Sequence, residues 1–142
     1  MWTSNCRCKV QKKCKTKDMD DFFYRKLQVY QEALSQVKSI YEITKKFPNA
    51  EQYVLTDQIR RAIISIPSNI AEGMGRNSIK ERIHFLEIAK GSLTEVMCQL
   101  EIAHLLAYIS EEDLRNNEKA LANISRLLVG LKKSLEEKII RT

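Results

Sequence analysis

Ser65-Ile66-Pro67-Ser68-Asn69-Ile70-Ala71-Glu72-Gly73 is the stretch on which the reading of the chain turns. Ile66 and Ile70 extend a row begun by Leu55, Ile59, Ala62 and Ile63, spaced as one face of a helix from about Ala50 to Met74. A proline inside such a helix removes one backbone hydrogen bond and crowds the preceding turn, at a cost of about 3 kcal/mol. Pro67 is therefore expected to kink the helix and free the carbonyl of Ile63, with Ser68 and Asn69 supplying local hydrogen bonds at the bend. Gly73 and Gly75 offer the positive φ of a helix C-terminus. A polar stripe runs along the same helix: Gln58, Arg61, Ser65, Ser68 or Asn69, and Glu72.

Toward the N-terminus, Asp18, Asp20 and Asp21 supply the acids that favour a helix start. Phe23, Leu27, Tyr30, Leu34, Val37, Tyr41 and Thr44 then repeat at steps of four and three, predicting a first helix to about Lys46. Phe47-Pro48-Asn49 ends it, and Asn49 with Gln52 has the form of a capping pair for the second helix. Toward the C-terminus, Ser78-Ile79-Lys80-Glu81 reads as a capping box opening a third helix to about Tyr108. Its seam is Ile79, Ile83, Leu86, Leu93, Val96, Met97, Leu100 and Ala103, with Gly91 placed to admit a close neighbour and a polar stripe at His84, Ser92, Glu95 and Gln99. Ser110-Glu111-Glu112-Asp113 caps a fourth helix whose seam is Leu114, Leu121, Ile124, Leu128, Leu131 and Leu135. Four amphipathic helices with short connections predict an all-α, up-down-up-down antiparallel four-helix bundle over residues 20–142.

The chain is 142 residues long, sufficient for one core, and carries a net charge of +6. The excess is local. Residues 1–17 hold Arg7, Lys9, Lys12, Lys13, Lys15 and Lys17 without an acid, so the remainder balances to zero. Residues 1–19 read as a basic, flexible, solvated tail of the kind that also engages phosphates without sequence specificity. Cys6, Cys8 and Cys14 in that tail match no zinc spacing, and Cys98 reads as a small apolar helix residue, buried or half-buried. No apolar run reaches the ~20 residues of a membrane span and no signal peptide opens the chain, so a cytoplasmic protein with no membrane partner is expected.

Gln58-Ile59-Arg60-Arg61-Ala62, the run from Ser65 to Gly73, Arg76 with Ser78, Lys80 and Glu81, and Gly91-Ser92-Leu93 with Glu95 and Gln99 resemble the bacterial four helix bundle family. Its members are also called S23 or 23S rRNA intervening-sequence proteins. The resemblance runs from about residue 22 to about residue 138 and leaves the basic tail outside. It implies a four-helix bundle, assembly as a ring-like homopentamer, and RNA or a ribonucleoprotein as partner. A more distant likeness to the accessory variability protein of diversity-generating retroelements implies a second reading, a nucleic-acid-binding subunit (RNA or DNA) for a reverse transcriptase. The formally neutral bundle departs from that branch, whose nucleic-acid surface is basic.

The residues themselves offer few chemical sites. No glycine-rich phosphate loop, H-E-x-x-H or nucleophile elbow is present, so no enzyme, cofactor or catalytic residue is assigned. His84 and His104 lie ~30 Å apart along one helix and do not share a metal site; His104 falls close to the seam, where part-burial is expected. Glu81-Arg82-Ile83-His84 and Glu101-Ile102-Ala103-His104 have the Glu-x-x-His spacing of di-iron bundles, but from one helix rather than two, which leaves a metal-dependent bundle enzyme as the third reading. The candidate nucleic-acid surface is Arg60, Arg61, Arg76, Lys80 and Arg82, with Glu72 and Glu81 interleaved. The candidate interface motif is Ser65, Pro67, Ser68, Asn69, Glu72, Gly73, Ser92, Glu95 and Gln99, in which Arg61 and Glu95 are expected to pair across the helices. The competing reading of each stripe is an ordinary solvated face.

Overall fold

A computed structural model describes residues 22–142. The basic tail, its three cysteines and the acids expected to start the first helix lie outside the described residues. A 3-10 turn, Phe23–Lys26, precedes α1 (Gln28–Thr44); a second, Asn49–Glu51, precedes α2 (Leu55–Met74); α3 spans Ile79–Leu105 and α4 spans Glu111–Arg141. Each helix packs on its chain neighbours and α1 closes the set against α4, with no close approach across either diagonal. Direction follows from the ends. Lys46, just past α1, reaches Asp113 in the first turn of α4 at 3.1 Å, and Tyr108, just past α3, donates to Glu51 ahead of α2 at 2.9 Å. Successive helices therefore alternate in direction, giving the antiparallel up-down-up-down bundle.

The core is an isoleucine and leucine column. Ile40, Ile59, Ile63, Ile66, Ile70, Leu86, Leu100, Leu121, Ile124 and Leu128 are all essentially inaccessible to water. Each such side chain contributes roughly 1.5–3 kcal/mol of transfer free energy. The seam read for α2 is buried throughout. That of α1 is rotated from the expected one. Val29, Ala33, Gln36, Ile40 and Ile43 face the core, Tyr30, Val37 and Tyr41 pack at its edge, and Phe23 and Leu34 are exposed. The expected row followed the largest side chains, whereas the buried row includes an alanine and a glutamine that hydropathy does not mark.

The helix ends also differ from the expectation. Leu27 is extended (φ −72°, ψ 128°) and separates the first 3-10 turn from α1. Asn49 and Gln52 do not cap α2; they bracket the second 3-10 turn, and α2 starts three residues after Gln52, where the Glu51 carboxylate accepts from the Leu55 N–H at 3.4 Å. The Ser78 hydroxyl accepts from Glu81 N–H, and Ser110 with Asp113 forms a complete capping box. α3 stops at Leu105 rather than Tyr108, and Ala107 takes a left-handed conformation (φ 60°) to turn the chain into α4. Among the described residues no helix is long and apolar enough to cross a membrane.

Candidate functional site

The signature run lies on α2 with Pro67 inside an unbroken helix. Pro67 is buried, and the polar residues beside it do supply local bonds. The Ser68 hydroxyl donates to the carbonyl of Ile64 at 2.8 Å, and the Asn69 amide donates to the carbonyl of Ser65 at 2.7 Å. The carbonyls engaged are those one and two residues past Ile63. Around Pro67 the faces of α1 and α2 diverge into an open apolar groove of about 300 Å³ lined by Tyr30, Leu34, Val37, Ile64, Pro67, Ser68 and Ala71. Leu34 and Ile64 are 46% and 42% exposed there.

Gly73 is a contact point rather than a conformational one. Neither Gly73 nor Gly75 has positive φ. A Cβ at Gly73 would stand 2.7 Å from Cβ of Phe85 and 3.3 Å from the carbonyl oxygen of Arg82, so the glycine lets α3 press directly on the α2 backbone. Gly91, expected to play that part, faces open space.

On the seam between α2 and α3, the hydroxyls of Ser65 and Ser92 lie 2.8 Å apart and the Asn69 amide adds a bond to Ser65 Oγ at 2.9 Å. This three-residue cluster bridges the two helices. Arg61 and Glu95 do not join it. The exposed Arg61 guanidinium pairs with Asp57 at 3.0 Å, one turn back on its own helix, and Glu95 accepts from the Gln99 amide at 3.2 Å. An i, i+4 partner on the same helix costs less ordering than one across a seam. Gln99 is 5% exposed and its Oε1 has no hydrogen-bond partner among the described residues.

The five candidate cations fall into two groups. Arg76, Lys80 and Arg82 gather at the turn between α2 and α3. Arg76 pairs with Glu72 at 2.7 Å and lies over the Phe85 ring, Arg82 donates to the Arg76 carbonyl at 2.7 Å, and Lys80 is exposed. Arg60 and Arg61 lie ~22 Å up α2, near the opposite end of the bundle. Arg60 Nε donates to the Thr44 hydroxyl at 2.9 Å and its guanidinium lies 4.7 Å from the Tyr41 ring centre.

Two further expectations are corrected. Cys98 and His104 are both exposed, because the buried row of α3 runs through Leu93, Val96, Gln99, Leu100 and Ala103. His84 is exposed as well, and among the described residues no three metal-ligating side chains gather at one point.

The sequence reading missed the polar joint between α1 and α4. The Gln36 amide donates to Asn117 Oδ1 at 2.6 Å, the Ser39 hydroxyl donates to the same oxygen at 3.1 Å, and the Asn117 amide donates to the Asp113 carbonyl at 2.7 Å. Gln36 and Asn117 are buried. Their separation of 81 positions leaves no local signal, although a polar residue at an apolar register position was available as a hint.

The family model described as 23S rRNA-intervening sequence protein matches residues 25–130. Among solved structures, the chain resembles the crystal structure of a protein of unknown function from the S23 ribosomal protein family of Bacteroides thetaiotaomicron. The identity is 27%, the TM-score 0.69, and the alignment covers 74% of this chain and 95% of that one. No curated protein matches the chain.

Proposed function

The chain belongs to the 23S rRNA-intervening sequence protein family, and from that membership we propose that it is a non-enzymatic, self-associating helical scaffold, pentameric in its assembled form, whose partner is RNA or a ribonucleoprotein. The observation that carries the reading is the cationic turn between α2 and α3. Arg76, Lys80 and Arg82 sit within seven residues, and two of them are held in place by a ring contact and a backbone carbonyl. One such turn makes few phosphate contacts. Several copies around an assembly add their contacts within one binding event, so modest local affinity becomes useful. The apolar groove over Pro67, with Leu34 and Ile64 exposed on its walls, supports self-association, since burying such a patch is favourable.

The test is binding of a structured RNA across a salt series, with the full chain, a chain beginning at Asp18, and the variant Arg76→Gln/Lys80→Gln/Arg82→Gln. Binding by both wild-type chains with a steep salt slope is expected, and the triple variant should lose roughly 0.7–0.9 of slope for each phosphate contact removed. If only the full chain binds, the tail is the RNA-binding element and the bundle reading fails; if neither binds at moderate salt, RNA is not the partner. Native mass spectrometry reads the assembly in the same samples.

A further inference from the structure

The end of the bundle where α1 finishes and α2 begins holds a second cavity, of about 170 Å³, lined by Thr44, Lys45, Phe47, Pro48, Asn49, Gln52, Thr56 and Arg60. Its lining contains two cationic side chains, two hydroxyls and two amides, and no carboxylate. Arg60 is built into the wall. Its Nε is fixed on the Thr44 hydroxyl, which in turn donates to the Tyr41 carbonyl at 3.1 Å, and its guanidinium lies against the Tyr41 ring. That arrangement spends one of the five guanidinium donors and leaves the terminal nitrogens without an acidic partner among the described residues. Its neighbour Arg61 is neutralised by Asp57; Arg60 pairs with no carboxylate among the described residues.

Thr56 supplies the independent sign. Its side chain is 7% exposed, lines the cavity and makes no hydrogen bond within the described residues. Its hydroxyl opens on the cavity and, with no protein partner among the described residues, is free to donate to whatever the cavity holds. Lys45 adds positive charge at the mouth, partly offset by Glu42 at 2.9 Å.

We propose that this cavity is a binding site for one phosphate-class oxyanion, gripped by the terminal nitrogens of Arg60 and the hydroxyl of Thr56. A planar guanidinium whose terminal Nη1–Nη2 edge is free suits such an anion, and a preoriented one loses little freedom on binding it. The two sources of that chemistry are a free phosphate ion and the terminal phosphate of a nucleotide. The site stands apart from the RNA reading, which rests on the cations at the other end of α2.

The experiment is titration of the full chain with inorganic phosphate, against chloride at matched ionic strength, followed by calorimetry and thermal melting. Saturable binding with a raised Tm is expected, and Thr56→Val and Arg60→Lys should each weaken it roughly tenfold, the worth of one charge-assisted hydrogen bond. Lys45→Gln is surface-exposed, keeps the fold beyond question, and should weaken binding by a smaller factor. A parallel titration with a nucleoside 5′-monophosphate separates the sources: tighter binding than phosphate assigns a terminal phosphate group, equal binding a free ion. No saturable binding of either up to roughly 10 mM, or binding unchanged in all three variants, overturns the proposal.

Discussion

The two long seams of this bundle are closed by opposite means. Between α2 and α3, neighbours in sequence, the backbones are drawn together at Gly73 until no side chain fits between them and Phe85. Between α1 and α4, the first and last helices, the helices are pinned by the buried Gln36–Asn117 pair with Ser39 and the Asp113 carbonyl. A short connection already fixes how α2 and α3 slide past one another, so that seam is free to optimise close contact. No connection fixes α1 against α4, and an apolar seam tolerates a slip of one turn. A polar pair that is satisfied in one alignment alone sets the register.

The largest effect is expected at the close-contact seam. Gly73→Val would place two more carbons where a single Cβ already stands 2.7 Å from Phe85, and should cost about 3 kcal/mol in chemical denaturation. Phe85→Ala will not rescue it, because the contact is to the Cβ that alanine retains. A Gly73→Val protein as stable as wild type would show that α3 stands off and the seam is not tight. At the pinned seam, Asn117→Ala should cost about 2 kcal/mol, since it strands the buried Gln36 amide. The pair Gln36→Leu/Asn117→Leu should recover most of that stability and lose register instead, visible as a broadened amide NMR spectrum. A double variant with sharp, native-like resonances would remove the register role.

The smallest effect is set by pH. Burial pushes the Asp113 carboxyl upward, but hydrogen bonds from Lys46 and Ser110 outweigh it and hold the group below its ordinary value. A carboxyl depressed in the folded state binds its proton more readily when unfolded. Its contribution is complete above the unfolded value near ~4 and is lost as pH falls through the lower folded value. Asp113→Asn should therefore be less stable than wild type at neutral pH, with the gap closing on acidification; melting curves at pH 7 and at pH 3 that differ by the same amount would remove Asp113 from the account.

How much of this was legible beforehand varied helix by helix. The α2 seam was, because Ile59, Ile63, Ile66 and Ile70 are both the most apolar residues and the buried ones. The α1 seam was not, because its bulky aromatics cover the edge of the core while Ala33 and Gln36 occupy the centre. Ser65, Asn69 and Ser92 meet at the place their stripes suggested; Arg61 and Glu95, long and charged, found partners on their own helices. Gly73 was read as a conformational residue because sequence carries no sign of how closely the α3 backbone at Arg82 and Phe85 approaches it, and only the packed structure distinguishes proximity from flexibility. The Arg60 and Thr56 cavity was invisible for the same reason: it is assembled from two helices and the connection between them.

The unequal helices give the bundle a gradient. α1 has 17 residues and α4 has 31, and with Gln36 opposite Asn117 the start of α1 falls level with about the midpoint of α4. Beyond that level α4 leans on α3 through Leu128, Leu135 and the Lys132–Glu87 ion pair. Amide protons should therefore exchange with solvent slowest in the half of α4 that faces α1 and progressively faster toward Arg141, so that the molecule opens from its C-terminal end by graded fraying before it unfolds as a whole.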